Sequence, residues 1–267
     1  MWKGPLMSAG MLDGRVVLVS GGTTGVGAAC ARIAAREGAA AVVVSGRRRE
    51  PGDRVVGELE GLGTKALFVA CDVADVDACR AAVAATVEAF GRVDALVNAA
   101  GLTSRGTLLD TTPELFDAHV ATNLRGPFFL MPAVVADMVG RGERGSVVNV
   151  ISTSELGGQP YLAPYVASKS GLAGLTRNAA HAHRFDRIRI NGLDIGWTDT
   201  EGEDAVQRRF HGAGDDWRER AGETLPMGRL ASADDAAEAV VFLLSDRSGV
   251  VTGSVLHWDQ SVPGAHD

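Results

Sequence analysis

The chain has 267 residues, of which 46% are hydrophobic and 22% charged, a composition typical of a soluble globular enzyme and not of a disordered or fibrous protein. Its formal net charge of −7 gives no electrostatic reason to bind nucleic acid, because capture of phosphates normally needs a basic face. The sequence contains no apolar run of about 18 residues or more, so we expect no membrane-spanning segment and no membrane partner.

The N-terminal segment MWKGPLMSAGML has neither a sustained apolar stretch nor a small-residue cleavage site, so we expect no secretory signal. We interpret residues 1–11 as a flexible tail. Cys30, Cys71 and Cys79 are widely spaced and form no CxxC pair, which favours three separate thiols over a disulfide or a metal site. We therefore expect a cytoplasmic protein without a bound metal.

Short apolar runs rich in β-branched residues alternate along the chain with Ala-rich segments that have helical spacing. The predicted strands are, in chain order, RVVLVS (15–20), AVVVSG (41–46), ALFVAC (66–71), DALVNA (94–99), SVVNVIS (146–152), IRINGLDI (188–195) and SVLHW (254–258). Continuously apolar strands belong to a sheet that is covered on both faces. The order therefore predicts an α/β fold with a parallel sheet between two layers of helices.

No linker, repeat or low-complexity block divides the chain, so we expect a single domain over residues 12–267. The longest stretch without a clear pattern is 197–227, which is polar and interrupted by Gly. In a compact domain such a stretch is usually a lid or binding loop. The alternative is a helical excursion on the surface without a function.

The first predicted strand runs directly into SGGTTGVG (20–27) and then into a helix. This order suits a pyrophosphate, because the turn presents backbone N–H groups and the helix N-terminus carries partial positive charge. Gly21, Gly25 and Gly27 form a GxxxGxG pattern. On its own the pattern also fits a tight turn that needs positive φ.

Two further motifs follow later strands: NAAG at 98–101 and YVASK at 165–169. On a helix, Tyr165 and Lys169 would lie one turn apart on the same face. With these three motifs in this order, the chain resembles the short-chain dehydrogenase/reductase family from about residue 12 to residue 260. The resemblance implies a single doubly wound Rossmann domain with a seven-stranded, mostly parallel sheet and helices on both faces.

The resemblance also implies a dinucleotide cofactor, with the three glycines around its pyrophosphate, Asp72 at its adenine edge and Asn98 fixing the central strand beside its ribose. Asp72 could instead cap the following helix, and Asn98 could be a turn residue. The cofactor-binding residues that the resemblance implies are Gly21, Thr23, Thr24, Gly25, Val26, Gly27, Arg47, Asp72, Val73, Asn98, Tyr165, Lys169, Thr198 and Thr200.

The end of the second strand, VVVSGRRRE, bears on the choice of cofactor. An acidic residue there would accept hydrogen bonds from the ribose 2′-hydroxyl, whereas an Arg could pair with a 2′-phosphate. Here Gly46 is followed by Arg47, Arg48 and Arg49, which favours NADP(H). NAD(H) is the alternative, because the run could also be a solvated start of the next helix.

The family's active site combines Ser, Tyr, Lys and Asn, and the resemblance places them at Ser152, Tyr165, Lys169 and Asn123. Ser152 lies thirteen residues before Tyr165, the usual family spacing, although Ser154 fits the family's Ser-x-x-Gly pattern better. Tyr165 would exchange the proton of an alcohol or ketone oxygen. Lys169 and the positive charge of an oxidised nicotinamide would both lower the pKa of its phenol. Ser152 would bond the substrate oxygen, and Asn123 would anchor a water.

One position departs from the family. After the sixth strand the family usually has Pro-Gly, whereas this chain has DIGWTDT with Ile195 before Gly196. Proline fixes φ and removes an N–H, so we expect its loss to loosen the backbone beside the nicotinamide. Thr198 and Thr200 still match the pattern.

These observations predict an NAD(P)-dependent oxidoreductase that interconverts a secondary alcohol and a ketone, on a small polar compound such as a sugar or polyol. The alternatives are reduction of a cyclic or aromatic ketone, a sensor that binds dinucleotide without catalysis, and a sugar-nucleotide epimerase or dehydratase.

The final helix and strand resemble the family's assembly segments, so we expect a homotetramer or a dimer. The expected substrate pocket draws on Glu155, Leu156, Gln159, Tyr161, Trp197 and Trp217, with Arg208, Arg209 and His211 as further candidates for an anionic substrate.

Overall fold

The structure, a computed structural model, describes residues 10–263. Its centre is a seven-stranded sheet in the order β3-β2-β1-β4-β5-β6-β9, and every pairing in it is parallel. Two further short strands, β7 and β8, pair with each other outside this sheet. The strands are β1 Val16–Ser20, β2 Ala41–Gly46, β3 Lys65–Ala70, β4 Ala95–Asn98, β5 Gly145–Val150, β6 Ile188–Ile195, β7 Thr198–Asp199, β8 Ala231–Ser232 and β9 Val255–Trp258.

Helices cover both faces of this sheet. They are α1 Gly25–Arg36, α2 Arg49–Gly61, α3 Val76–Phe90, α4 Pro113–Val120, α5 Gly126–Arg141, α6 Ala163–His183, α7 Glu201–His211, α8 Trp217–Glu223 and α9 Ala233–Leu244. Val17 and Val19 of β1 point into a core with α1, α2 and α9, while Leu18 between them points into a second core with α3, α5 and α6. Both faces of each central strand are therefore buried, which is why its sequence is apolar without alternation.

The predicted fold class is confirmed, and all seven predicted strands are present with their ends within two residues of the expected ones. The sheet is wholly parallel where the prediction allowed a mixed one. The strand order reverses between β1 and β4, so the carboxyl ends of these strands open a crevice at one edge of the sheet. In open α/β sheets this crevice is where ligands bind.

The predicted tail lies mostly outside the described residues, which begin at Gly10. Its last two residues contact the end of α1. The Met11 amide donates to Glu37 Oε2 at 2.7 Å, and a Cβ on Gly10 would lie 2.2 Å from the Glu37 carbonyl oxygen. The chain is thus attached to the end of α1 before β1 begins. None of the helices within residues 10–263 is long and apolar enough to cross a membrane.

The polar stretch 197–227 contains β7, α7 and α8, so it is more regular than the sequence indicated. The Thr200 hydroxyl caps α7 by accepting a hydrogen bond from the Glu203 amide at 3.1 Å. Trp197 stacks on Trp217 with ring centroids 6.2 Å apart. The Trp217 indole donates to Asp204 at 2.8 Å, which ties α8 to α7. These contacts hold the stretch together over the mouth of the crevice.

The turn between β1 and α1 makes a direct prediction about stability. A Cβ on Gly27 would lie 2.2 Å from the Gly21 carbonyl oxygen, so Gly27→Ala should force the turn apart and cost about 1–3 kcal/mol of unfolding free energy. Gly57 lies in α2 with open space within 4 Å of the point that an alanine methyl would occupy, so Gly57→Ala should stabilise by about 0.5–1 kcal/mol. Chemical denaturation measures the unfolding free energy of both variants. Equal changes in the two variants would contradict the prediction.

Candidate active site

A cavity of about 890 Å³ lies in the crevice at the carboxyl edge of the sheet. It extends from the ends of β2 and β3, past the β1–α1 turn, to the start of α6 and to α7. Most of the residues expected from the sequence line it, namely Gly21, Thr23, Thr24, Gly25, Val26, Gly27, Arg47, Asp72, Val73, Ser152, Tyr165, Lys169, Thr198 and Thr200. Asn98 and Asn123 do not line the cavity; both are buried within the fold.

The β1–α1 turn fits a pyrophosphate. Gly21 and Gly25 have φ of 74° and 54°, and a Cβ on Gly21 would lie 2.5 Å from the Ala100 nitrogen. The backbone can therefore pass close to the end of β4 only with glycine at this position. Thr24 is the N-cap of α1 and makes no side-chain capping bond, so the first amides of the helix stay open towards the cavity. Free amides at a helix N-terminus bind anions.

The far end of the cavity, beyond this turn, is basic. Arg47 and Arg48 line it, and neither makes an ion pair with any residue in the described part of the chain. Arg49 turns away instead, with its guanidinium 5.6 Å from the Phe68 ring centroid and 3.7 Å from Asp53. The end of β2 thus presents two arginines to a ligand and no carboxylate of its own.

Asp72 and Val73 form the wall beside these arginines. The Asp72 carboxylate accepts a hydrogen bond from the Ala74 amide at 3.0 Å. It does not cap α3, because Asp75 takes that role by accepting from the Asp77 and Ala78 amides. Asp72 is exposed at the cavity edge and keeps its second carboxylate oxygen for a ligand.

At the other end of the cavity, Tyr165, Lys169 and Ser152 come together. Tyr165 and Lys169 are both buried in α6, and the Lys169 ammonium lies 5.7 Å from the centroid of the Tyr165 ring. The Lys169 Nζ donates to the Val150 carbonyl at the end of β5, at 2.8 Å. Ser152 lies near enough to the Tyr165 phenol to lower its pKa. Ser154 also lines the cavity, but its amide donates to Ser152 Oγ and so holds Ser152 in place.

Asn123 lies in a short π-helical turn, Ala121–Arg125, between α4 and α5. Its side chain accepts a hydrogen bond from the Leu102 amide at 2.8 Å and donates to the Leu102 carbonyl at 2.9 Å and to Ser168 Oγ at 3.0 Å. Insertions of this kind into helices often lie at functional sites. The amide of Asn123 joins the loop after β4 to α6, one residue before Lys169.

Asn98 belongs to a buried polar chain beneath the cavity. Its side chain donates to Asn149 on the neighbouring strand at 2.8 Å, and Asn149 donates to Thr176 of α6, also at 2.8 Å. The Asn98 Oδ1 atom has no partner within residues 10–263. This chain ties β4, β5 and α6 together, so Asn98 is neither a turn residue nor part of the cavity wall.

Comparison with known proteins agrees with this geometry. A family model described as Enoyl-(Acyl carrier protein) reductase matches residues 21–262. The chain is 36% identical over 247 residues to L-rhamnose 1-dehydrogenase (NAD(P)(+)) of Sphingomonas sp. (strain SKA58), covering 92% of this chain and 95% of that one. It is 37% identical over 251 residues to A-factor type gamma-butyrolactone 1′-reductase (1S-forming) of Streptomyces virginiae, with the same coverage.

A crystal structure of a variant of actinorhodin polyketide ketoreductase with NADPH superimposes with a TM-score of 0.89 at 32% identity, covering 94% of this chain and 98% of that one. The chain belongs to the short-chain dehydrogenase/reductase family. The expected enzyme class, an NAD(P)-dependent short-chain dehydrogenase/reductase acting between alcohols and ketones, is confirmed at the level of the family.

In this dehydrogenase/reductase, burial dominates the electrostatics of the Tyr–Lys pair. Desolvation raises the pKa of Tyr165 to about 12, and the nearby Ser152 side chain offsets this only in part. In the protein alone burial is thus the largest influence on the phenol pKa, and the lowering expected from Lys169 with an oxidised nicotinamide stays a prediction. Desolvation also lowers the pKa of Lys169 to about 8, against the pull of Asp194 in the opposite direction. At neutral pH Tyr165 is a phenol beside a charged ammonium.

The substrate end of the dehydrogenase/reductase differs from the expected set. Gln159, Tyr161 and Trp197 line the cavity, as does His211. The other expected residues do not: Glu155 faces Arg177 at 4.0 Å, Trp217 lies under Trp197, and Leu156, Arg208 and Arg209 lie outside the cavity.

Sequence reasoning missed Arg105, Glu203 and Gln207, which also line the cavity at this end. Arg105 lines the cavity, lies over the Tyr161 ring at 5.3 Å, and donates its Nε–H to His211 Nε2 at 3.1 Å. These contacts join the loop after β4 to the end of α7. The position of Arg105 a few residues after NAAG could have indicated a role in the site. Its contact with His211, 106 residues away, could not be predicted from the sequence.

The backbone at the missing proline belongs to the sheet. Strand β6 continues through Ile195, which pairs with Trp258 of β9. Thr198 is buried, and its hydroxyl donates to the Gly196 carbonyl at 2.9 Å. A Cβ on Gly196 would lie 1.7 Å from an Asp259 carboxylate oxygen. Glycine is required here by the approach of the C-terminal segment.

Proposed function

We propose that this enzyme interconverts a secondary alcohol and a ketone on a small polar hydroxy or keto compound, with NADP(H) as the preferred cofactor and NAD(H) as the alternative. The observation that carries the proposal is a single cavity with Arg47 and Arg48 at one end, neither in an ion pair within residues 10–263, and Tyr165, Lys169 and Ser152 at the other. Between them lies the glycine-rich β1–α1 turn, against which a pyrophosphate would bind. A non-catalytic sensor would not need the Tyr–Lys pair.

When bound, the nicotinamide cofactor supplies or accepts the hydride at the substrate carbon. The chain's own residues manage the proton. In reduction, Tyr165 donates its phenolic proton to the oxygen that becomes the alcohol, and Ser152 donates a hydrogen bond to the same oxygen. In oxidation the phenolate takes that proton back. Lys169 stabilises the phenolate through its charge, and Asn123 holds the loop after β4 against α6 beside Lys169.

The walls around Tyr165 support a polar substrate. Gln159, Arg105, Gln207 and Glu203 all line the cavity, and such groups would pair with several hydroxyl or carbonyl oxygens. The resemblance to a rhamnose dehydrogenase supports a sugar or polyol. The second candidate is a cyclic or aromatic ketone, which the exposed Trp197 ring and the likeness to a polyketide ketoreductase favour.

A spectrophotometric screen tests the function. NADPH and NADH oxidation should be followed against sugar-derived and cyclic ketones, and NADP⁺ and NAD⁺ reduction against sugars, polyols and cyclic alcohols. We expect turnover of one or more polar compounds. Turnover confined to cyclic or aromatic ketones would contradict the preferred substrate class, and dinucleotide binding without turnover would favour the sensor.

Tyr165→Phe should lower kcat by about 10²–10⁴-fold with the best substrate, because the general acid and base is removed. Tyr161→Phe is the matched control, since it removes a phenol from the cavity mouth while leaving Tyr165 in place, and it should keep most of kcat. The same measurement decides between the two candidate serines. We expect a large loss of kcat for Ser152→Ala and a small loss for Ser154→Ala. Full activity of Tyr165→Phe would refute the catalytic assignment.

Arg47→Ala should raise KM for NADPH by about 10- to 100-fold, the cost of one hydrogen bond to a charged group, and leave KM for NADH nearly unchanged. Arg49→Ala is the control, because that guanidinium packs on Phe68 and pairs with Asp53. Steady-state kinetics with both cofactors measure the difference. Equal KM values for the two cofactors in the unaltered enzyme, unaffected by Arg47→Ala, would contradict a role in 2′-phosphate binding.

The remaining expectations concern assembly and location. We propose a homotetramer, with a dimer as the alternative, in the cytoplasm. Exposed apolar residues on the last helix and strand, Phe242 and Trp258, support a contact with another copy of the chain. Light scattering of the purified protein measures the assembly, and a monomer at micromolar concentration would contradict it.

A further inference from the structure

Asp194 is a buried carboxylate that the roles proposed above do not use. It lies one residue before the end of β6 and has no exposed surface. Within residues 10–263, neither of its oxygens has a hydrogen-bond partner of ordinary geometry. A buried carboxylate without a hydrogen bond is costly, so such a group usually serves a specific purpose.

The register of the sheet puts Asp194 next to the catalytic lysine. Lys169 Nζ donates to the Val150 carbonyl at 2.8 Å, and Val150 is the register partner of Leu193 on β6. Asp194 is the next residue, at the point where β5 has ended. Asp194 acts electrostatically on both Lys169 and Tyr165.

Charged and polar groups face Asp194 from every neighbouring element. On β9, His257 Nδ1 lies 3.6 Å from Asp194 Oδ2, and its side chain is 31% exposed. The segment after β5 contributes the carboxylate of Glu155 and the backbone N–H of Ser152. Helix α6 contributes Lys169, Tyr165 and Arg177.

We propose that Asp194 is a positioning residue for Lys169: its carboxylate supplies the negative charge that keeps the Lys169 ammonium protonated beside Tyr165, and His257 connects that carboxylate to solvent. The inference rests on the proposed function for the roles of Tyr165 and Lys169. Asp194 touches neither substrate nor the cavity wall, so it acts only through the charge of the lysine.

The energetics agree with this assignment. Burial lowers the pKa of Lys169 to about 8, and Asp194 is the charge that opposes the fall. Burial, together with the Glu155 charge, raises the pKa of Asp194 to about 6, while His257 lowers it. Above about pH 6 the carboxylate is charged and supports the ammonium; below that pH it becomes neutral, but the lysine is then protonated in any case.

The test is a direct titration of Lys169 by NMR in full-length protein labelled with ¹⁵N at the lysine side chains. Lys3→Arg and Lys65→Arg variants assign the signals, since the chain has only these two other lysines. We expect Lys169 to titrate near pH 8, and to titrate lower by about one pH unit in Asp194→Asn, the shift an opposite charge at close range commonly causes. Asp194→Ser provides a second neutral side chain should the amide variant fail to fold.

Two further variants separate charge from structure. His257→Gln keeps the Asp194 carboxylate, so it should change the Lys169 pKa by less than Asp194→Asn does. Asp94→Asn is the matched control: Asp94 is a buried carboxylate paired with Arg92 and Arg141, directly before β4 at the opposite edge of the sheet. This control variant should leave the pKa of Lys169 unchanged, even where it lowers the melting temperature of the protein.

An unchanged Lys169 titration in a folded neutral variant of Asp194 would overturn the inference. The alkaline limb of the kcat profile offers a second measurement, and it should move to lower pH in Asp194→Asn. The two proposals can fail separately. Full activity of Tyr165→Phe refutes the catalytic roles and leaves the lysine titration unaffected, whereas an unmoved titration refutes the role of Asp194 and leaves the catalytic roles in place.

Discussion

The close approach of the β1–α1 turn to the end of β4 is the constraint on which the cavity depends. A Cβ on Gly21 would overlap Ala100, and one on Gly27 would overlap Gly21 itself. The turn therefore folds tightly only with glycine, and its tightness leaves the first amides of α1 facing the crevice. The arginines after β2 and the tyrosine of α6 then reach a common cavity from opposite sides of this turn.

Burial is the second organising effect, and it acts on charges as strongly as on apolar groups. The core on each side of the sheet is apolar and closely packed. An ionisable group that is buried at the carboxyl edge of the sheet is therefore poorly solvated. For that reason the pKa of Tyr165 rises while that of Lys169 falls. In such a setting a single further charge, Asp194, has more influence than it would in water.

Much of the fold and part of the site could be predicted from the sequence. The seven strands follow from apolar runs, and Tyr165 and Lys169 share a helical face because of their spacing alone. The same reasoning was wrong where side chains meet partners distant in the chain. Glu155 and Trp217 looked like pocket residues, but they face Arg177 and Trp197 respectively. Arg105 and its partner His211 lie 106 residues apart, and no local pattern links them.

The sequence by itself determined the fold class, the glycine turn and the pairing of Tyr165 with Lys169 on one helical face, because periodicity, backbone conformation and helical spacing are local properties. Only the tertiary structure decided the protonation states and the walls of the substrate end. Those depend on how deeply each group is buried and on which charges face it from other strands and helices. The carboxylate of Asp194 is the clearest case: in the sequence it reads as one acid in DIGWTDT, and only the register of β5 against β6 places it beside Lys169.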